Sequence, residues 1–167
     1  MKATELLKKQ HREVKALFAQ ANKAGSSERR EVVDEIAEKL MAHMKIEEEI
    51  FYPAVRELAT KKTDEIIPEA YEEHHVVKLV LDELPEVDLE DEQFEAKMTV
   101  LEELIEHHVE EEEKEMFKVA EKLGDERLRA LGADMESAMP ANDEPQRGKK
   151  SASEPAQRSA QSHSARH

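Results

Sequence analysis

The chain has 167 residues, of which 39% are charged and only 4 are Gly, and a formal net charge of -15, so it has room for one compact domain built of long, solvated helices. That acidic balance disfavours nucleic acid or an anionic membrane as a partner, because both need clustered Lys and Arg. With no Cys, disulfides, thiol catalysis and thiolate-held metals are excluded, and any metal must sit on nitrogen and oxygen.

The N-terminal stretch Met1 to Lys9 lacks the apolar run of a signal peptide, and no later stretch is long enough to span a bilayer, which predicts a cytoplasmic protein. Apolar residues recur with a 3.6-residue period in four segments, at about 3–24, 27–60, 64–84 and 90–123. Gly25-Ser26-Ser27 separates the first two, with Ser27 as the expected N-cap, and Lys62-Thr63-Asp64 separates the second from the third. Leu84-Pro85 ends the third segment and Gly124 the fourth. Short links imply antiparallel neighbours, so the expected fold is all-α, an up-down-up-down four-helix bundle. A short fifth helix is expected from about Asp125 to Ala138, with Leu128, Leu131 and Met135 on one side to cap a bundle end. Residues 1–138 are thus the predicted bundle and residues 139–167 a disordered tail rich in Pro, Ser, Ala and Arg, with too few large apolar residues to order itself. The tail is net basic and is read as solubilising, with binding of a protein partner of unknown identity as the alternative.

An internal repeat organises the bundle. His11-Arg12-Glu13-Val14-Lys15 in the first segment matches His74-His75-Val76-Val77-Lys78 in the third. Leu40-Met41-Ala42-His43, continuing through Glu47 to Phe51-Tyr52, matches Ile105-Glu106-His107-His108, continuing through Glu112 to Met116-Phe117. Each half supplies one His from its first helix and a His-x-x-x-Glu from its second. Residues four apart share a helix face, so His43 with Glu47 and His108 with Glu112 each present a nitrogen and an oxygen to one point. At ~100° per residue Glu112 lies near the centre of its helix's apolar stripe and His108 beside it, while His107 points away. The same arithmetic turns His74 inward and His75 towards solvent, and places His11 at the edge of the stripe of Leu7, Val14, Leu17 and Phe18.

A lone His in an apolar stripe is usually a satisfied core residue, and runs such as Glu110 to Glu113 are usually solvated faces. The doubled register singles out His11, His43, Glu47, His74, His108 and Glu112 as metal ligands. Two ionised carboxylates inside a bundle cost several kcal/mol each unless a cation compensates them. Four His and two Glu suit one dinuclear site with carboxylates able to bridge. Iron(II) or manganese(II) fits the donor set, and iron is the usual choice where oxygen chemistry follows. A ferritin-like centre needs two inward Glu-x-x-His elements, and Glu72 with the outward His75 is a single poor match. A structural zinc site would stop at four ligands. Tyr71, one turn before His74, is read as a core tyrosine whose hydroxyl finds a partner, with a hydrogen bond towards the ligands as the alternative.

His11, His43-x-x-x-Glu47, Glu73-His74-His75 and His107-His108 with the Glu110 to Glu113 run resemble the hemerythrin-like, or HHE cation-binding, domain family, over about residues 3–135. The resemblance implies a non-haem di-iron centre in a four-helix bundle with two carboxylates bridging the irons. Activities across that family include reversible oxygen binding, redox sensing, nitric oxide handling, peroxide decomposition and iron homeostasis. Oxygen carriers of the family have His-x-x-x-His on the third helix, whereas here His74 is followed four residues later by Lys78, which speaks against efficient oxygen carriage. The expected partner is therefore a small diatomic or peroxide ligand, bound in a redox or oxidative stress response. The alternative is an oxidoreductase that decomposes hydrogen peroxide, and the sequence does not choose between binding and catalysis.

Overall fold

The computed structural model describes residues 1–141; the predicted tail lies outside the described residues beyond Ala141. Helix α1 (Ala3–Lys23) is followed by α2 (Ser26–Ile46), which runs through a π-helical turn (Glu47–Phe51) into α3 (Tyr52–Arg56) as one rod. Helix α4 (Lys61–Glu83) ends in a 3-10 turn, Leu84–Glu86. Helix α5 (Glu92–Glu111), a second π turn (Glu112–Met116) and α6 (Phe117–Ala120) form the fourth rod, and α7 (Asp125–Ala138) is the short fifth helix. The chain is an all-α, up-down-up-down bundle.

Two boundaries differ from the sequence reading, for local reasons. Gly25 rather than Ser27 is the N-cap of α2, so Ser26 and Ser27 are already helical. Helix α4 starts at Lys61, because the Thr60 hydroxyl accepts the Thr63 N–H at 3.1 Å and the Thr63 hydroxyl accepts the Thr60 N–H at 3.0 Å, a reciprocal cap that closes the helix ahead of Asp64.

The core falls into two apolar clusters with a polar layer between them, and the order of the layers proves the antiparallel topology. Along α1 the chain passes from Leu6 and Leu7 in one cluster, through His11, to Val14 and Phe18 in the other. Along the second rod it runs in reverse, from Val32 and Ile36 through His43 and Glu47 to Phe51 and Val55. Helix α4 repeats the first order (Ile67, His74, Leu81) and the fourth rod the second (Phe94, His108, Phe117). Periodicity fixes which face of each helix is apolar, and the polar residue at mid-stripe fixes where the layer lies.

Helix α7 closes the end of the first cluster with Leu128, Leu131 and Met135, as expected. Gly124, at φ 84°, makes the corner that leads into it. Gly132 lets α7 lie against the N-terminal backbone: a Cβ there would stand 2.2 Å from the Met1 carbonyl oxygen. Among the described residues no helix is long and apolar enough to cross a membrane.

Candidate metal centre

All six predicted ligands meet in the polar layer, and all are buried. His11 comes from α1, His43 from the end of α2, His74 from α4 and His108 from the end of α5, while Glu47 and Glu112 each open a π turn. Each carboxylate spans both hairpins. Glu47 Oε1 lies 3.0 Å from His43 Nε2, and its Oε2 lies 3.2 Å from His74 Nε2. Glu112 Oε2 lies 3.2 Å from His11 Nε2 and 3.6 Å from His108 Nε2. His74 Nε2 and His108 Nε2 approach to 3.1 Å. His75 and His107 are exposed, as their angular positions required.

Every inward Nε2 is set by an acceptor at the opposite ring nitrogen. His11 Nδ1–H donates to Glu113 Oε1 at 2.8 Å, His43 Nδ1–H to Gln10 Oε1 at 2.7 Å, His74 Nδ1–H to Glu48 Oε1 at 2.9 Å, and His108 Nδ1–H to Glu73. With Nδ1 donating outward, each ring points its Nε2 into the layer, where that nitrogen can ligate once it carries no proton, the arrangement that metal-ligating imidazoles adopt. These supports obey the repeat: Gln10 and Glu73 each precede the first His of a hairpin, and Glu48 and Glu113 each follow the Glu of the other. Lys78, which stands where oxygen carriers have a further His, binds both oxygens of Glu48 at 2.8 and 3.0 Å and so supports His74 from behind.

Tyr52 is the central residue that sequence reasoning missed. Its hydroxyl lies 2.8 Å from Glu112 Oε1, 3.4 Å from Glu47 Oε2 and 3.2 Å from His74 Nε2. Five residues beyond Glu47, Tyr52 would point ~140° away on a regular helix; the π turn, with its wider i→i+5 closure, brings it back to the same face. Proline does not explain the bulge, since Pro53 follows the first π turn but the second hairpin forms the same turn without one. Pro53 has no N–H to offer the Glu48 carbonyl, which accepts the Tyr71 hydroxyl instead at 3.0 Å. Tyr71 thus serves the backbone behind the layer.

Charges in the layer are tightly linked. Burial pushes the Glu47 carboxyl up, but His43 and His74 overcome this and hold it well below the usual range. Burial opposes a charge on His108, yet Glu112, Glu73 and Glu47 raise it to about 9, and Glu112 chiefly raises His11 against the same burial. Burial, then Glu112 and Glu47, push the Tyr52 phenol well above its ordinary value, so it keeps its proton.

The donor set fits a metal. His11 Nε2, Glu47 Oε1 and Glu112 Oε2 are buried with no hydrogen-bond partner, which leaves lone pairs aimed at one space and costs free energy unless a cation is held there. Two groups of donors have their atoms within 4.8 Å of one another: His11, His43, Glu47 and Glu112, and Glu47, His74 and His108. The hemerythrin HHE cation-binding domain matches residues 2–120. The chain belongs to this family. Among solved structures, it is similar to a hemerythrin HHE cation-binding domain-containing protein from Mycobacterium kansasii, at 29% identity and a TM-score of 0.71, over 82% of this chain and 84% of that one. No curated protein matches the chain significantly.

In this hemerythrin-domain protein two cavities reach the layer from opposite sides. A cleft of about 180 Å³ between α4 and the fourth rod, lined by Glu65, Glu69, Glu73 and Glu111, ends at His108 and Glu112. A cavity of about 10 Å³, walled by Val14, Leu40, Met44, Ile105 and Val109, touches all four inward histidines.

Proposed function

We propose that the chain holds a non-haem centre of two iron ions on His11, His43, Glu47, His74, His108 and Glu112, and binds oxygen, nitric oxide or a related small ligand there in a redox stress response. The observation that carries this reading is the pair of overlapping donor groups sharing Glu47, each with a histidine pair held by outward hydrogen bonds. Iron in such a centre supplies coordination positions for a small ligand and exchanges electrons with it. Glu47 and Glu112 present oxygens to histidines of both hairpins, which suits carboxylates shared by two ions. The cavity walled by Val14, Leu40 and Ile105 borders all four inward histidines and, at about 10 Å³, has room for a molecule about as small as water.

A second reading, decomposition of hydrogen peroxide, draws support from Tyr52 and from the carboxylate-lined cleft. The cleft admits a polar molecule to Glu112, and the Tyr52 hydroxyl holds a proton 2.8 Å from Glu112 Oε1. The deciding experiment is iron stoichiometry with the ultraviolet-visible spectrum of anaerobic protein, before and after oxygen and then peroxide. Two irons per chain and a new band that persists carry the binding reading. Sustained peroxide loss that disappears in Glu112→Ala carries the catalytic one. Zinc, or no metal, sinks the di-iron centre.

A further inference from the structure

A third group of donors lies outside the buried layer. His107 Nε2 is 3.7 Å from Glu73 Oε1 and 3.4 Å from Glu111 Oε1, and one donor atom from each of the three residues lies within 4.8 Å of the others. The His107 side chain is 61% exposed, so core packing does not account for its position. We propose that Glu73, His107 and Glu111 form an outer site that captures a divalent cation beside the cleft, which Glu73 and Glu111 line, and passes it inward; this rests on the reading of the buried layer as a metal centre.

Two features of the cleft point the same way. Glu112, 2% exposed, also lines it, and its Oε2, turned towards the buried layer, has no hydrogen-bond partner, so a cation passing inward from the cleft meets a buried, unpartnered carboxylate oxygen. Glu73 links the outer group to the buried layer: one of its oxygens faces His107 and the other accepts the Nδ1–H of His108. Exposure falls along this line, from 41% for the Glu111 side chain to 17% for Glu73 and 2% for Glu112, so a hydrated ion would exchange water for protein oxygens in steps. Carboxylates dominate the lining, and its one ammonium, Lys62, is already paired with Glu115, so the cleft focuses a negative potential that attracts cations and repels anions.

The test uses the full chain, stripped of metal and supplied anaerobically with iron(II), with uptake followed by stopping samples with a ferrous chelator. His107→Ala with Glu111→Gln should slow uptake about tenfold at low ionic strength, and the gap should narrow as salt screens the cleft. Final iron retained against the chelator, and helical circular dichroism, should equal those of the native chain. As an equilibrium check, an iron-loaded native chain should bind one further manganese(II), seen by electron paramagnetic resonance, and the double variant none. Equal uptake rates in the two chains overturn the outer site alone, whereas a native chain that takes up no iron overturns the buried centre and the outer site with it.

Discussion

The two hairpins of the bundle present a duplicated set of candidate ligands, but two differences beside those ligands divide the candidate centre into unlike halves. His43 is held by Gln10, a neutral amide, while its counterpart His108 is held by Glu73, a carboxylate. The first π turn leads into Tyr52, the second into Phe117. The ligand atoms are thus duplicated, but the charge behind them and the hydroxyl between them are not. Carboxylate support raises the basicity of an imidazole and its strength as a ligand, so the His108 side should hold its ion more firmly.

The harshest way to break the comparison is Glu112→Ala, which removes a carboxylate that both halves share. Metal analysis should find the iron lost or reduced to at most one ion per chain, with the helical circular dichroism retained. The pH of metal loading comes next. An imidazole must be neutral to ligate, and His108 is held protonated up to about 9, so apparent metal affinity should fall as pH drops through 9, with protons released on binding. In metal-free protein the sign reverses: the His108 pairing contributes stability that is complete below the unfolded value near 6.5 and lost as pH rises through about 9. Melting temperatures of the metal-free and iron-loaded chains across that window check both halves of the statement.

Smaller changes sharpen the comparison. Glu73→Gln copies the Gln10 arrangement into the second hairpin and should weaken metal affinity by about 10–100-fold, read by competition with a chelator. Tyr52→Phe copies Phe117 into the first hairpin. It strips Glu112 of its hydroxyl donor and should lower the stability of the metal-free chain by about 1–3 kcal/mol in urea unfolding, with metal still taken up. Metal loss in this variant would show that Tyr52 is itself required to hold the ion.

Much of this was legible in the amino-acid order. Glycine and proline punctuation with 3.6-residue stripes determined four helices and their short links, hence the antiparallel bundle. The duplicated His and His-x-x-x-Glu determined which six polar side chains share the mid-stripe layer, and the same arithmetic turned His75 and His107 outward. The tertiary structure alone decided what stands around that layer. Gln10, Glu48, Glu73 and Glu113 lie beside ligands in the sequence, where they read as helix surface, and each supports a histidine of a different helix, a contact that exists only once helices pack. Tyr52 was hidden for a different reason: a uniform 100° per residue aims it away from Glu47, and only the π turn, a local departure from that period, brings its hydroxyl in among the carboxylates. Periodicity reports the face a residue takes on a regular helix, while its neighbours across the bundle and the breaks in the helix are set by packing.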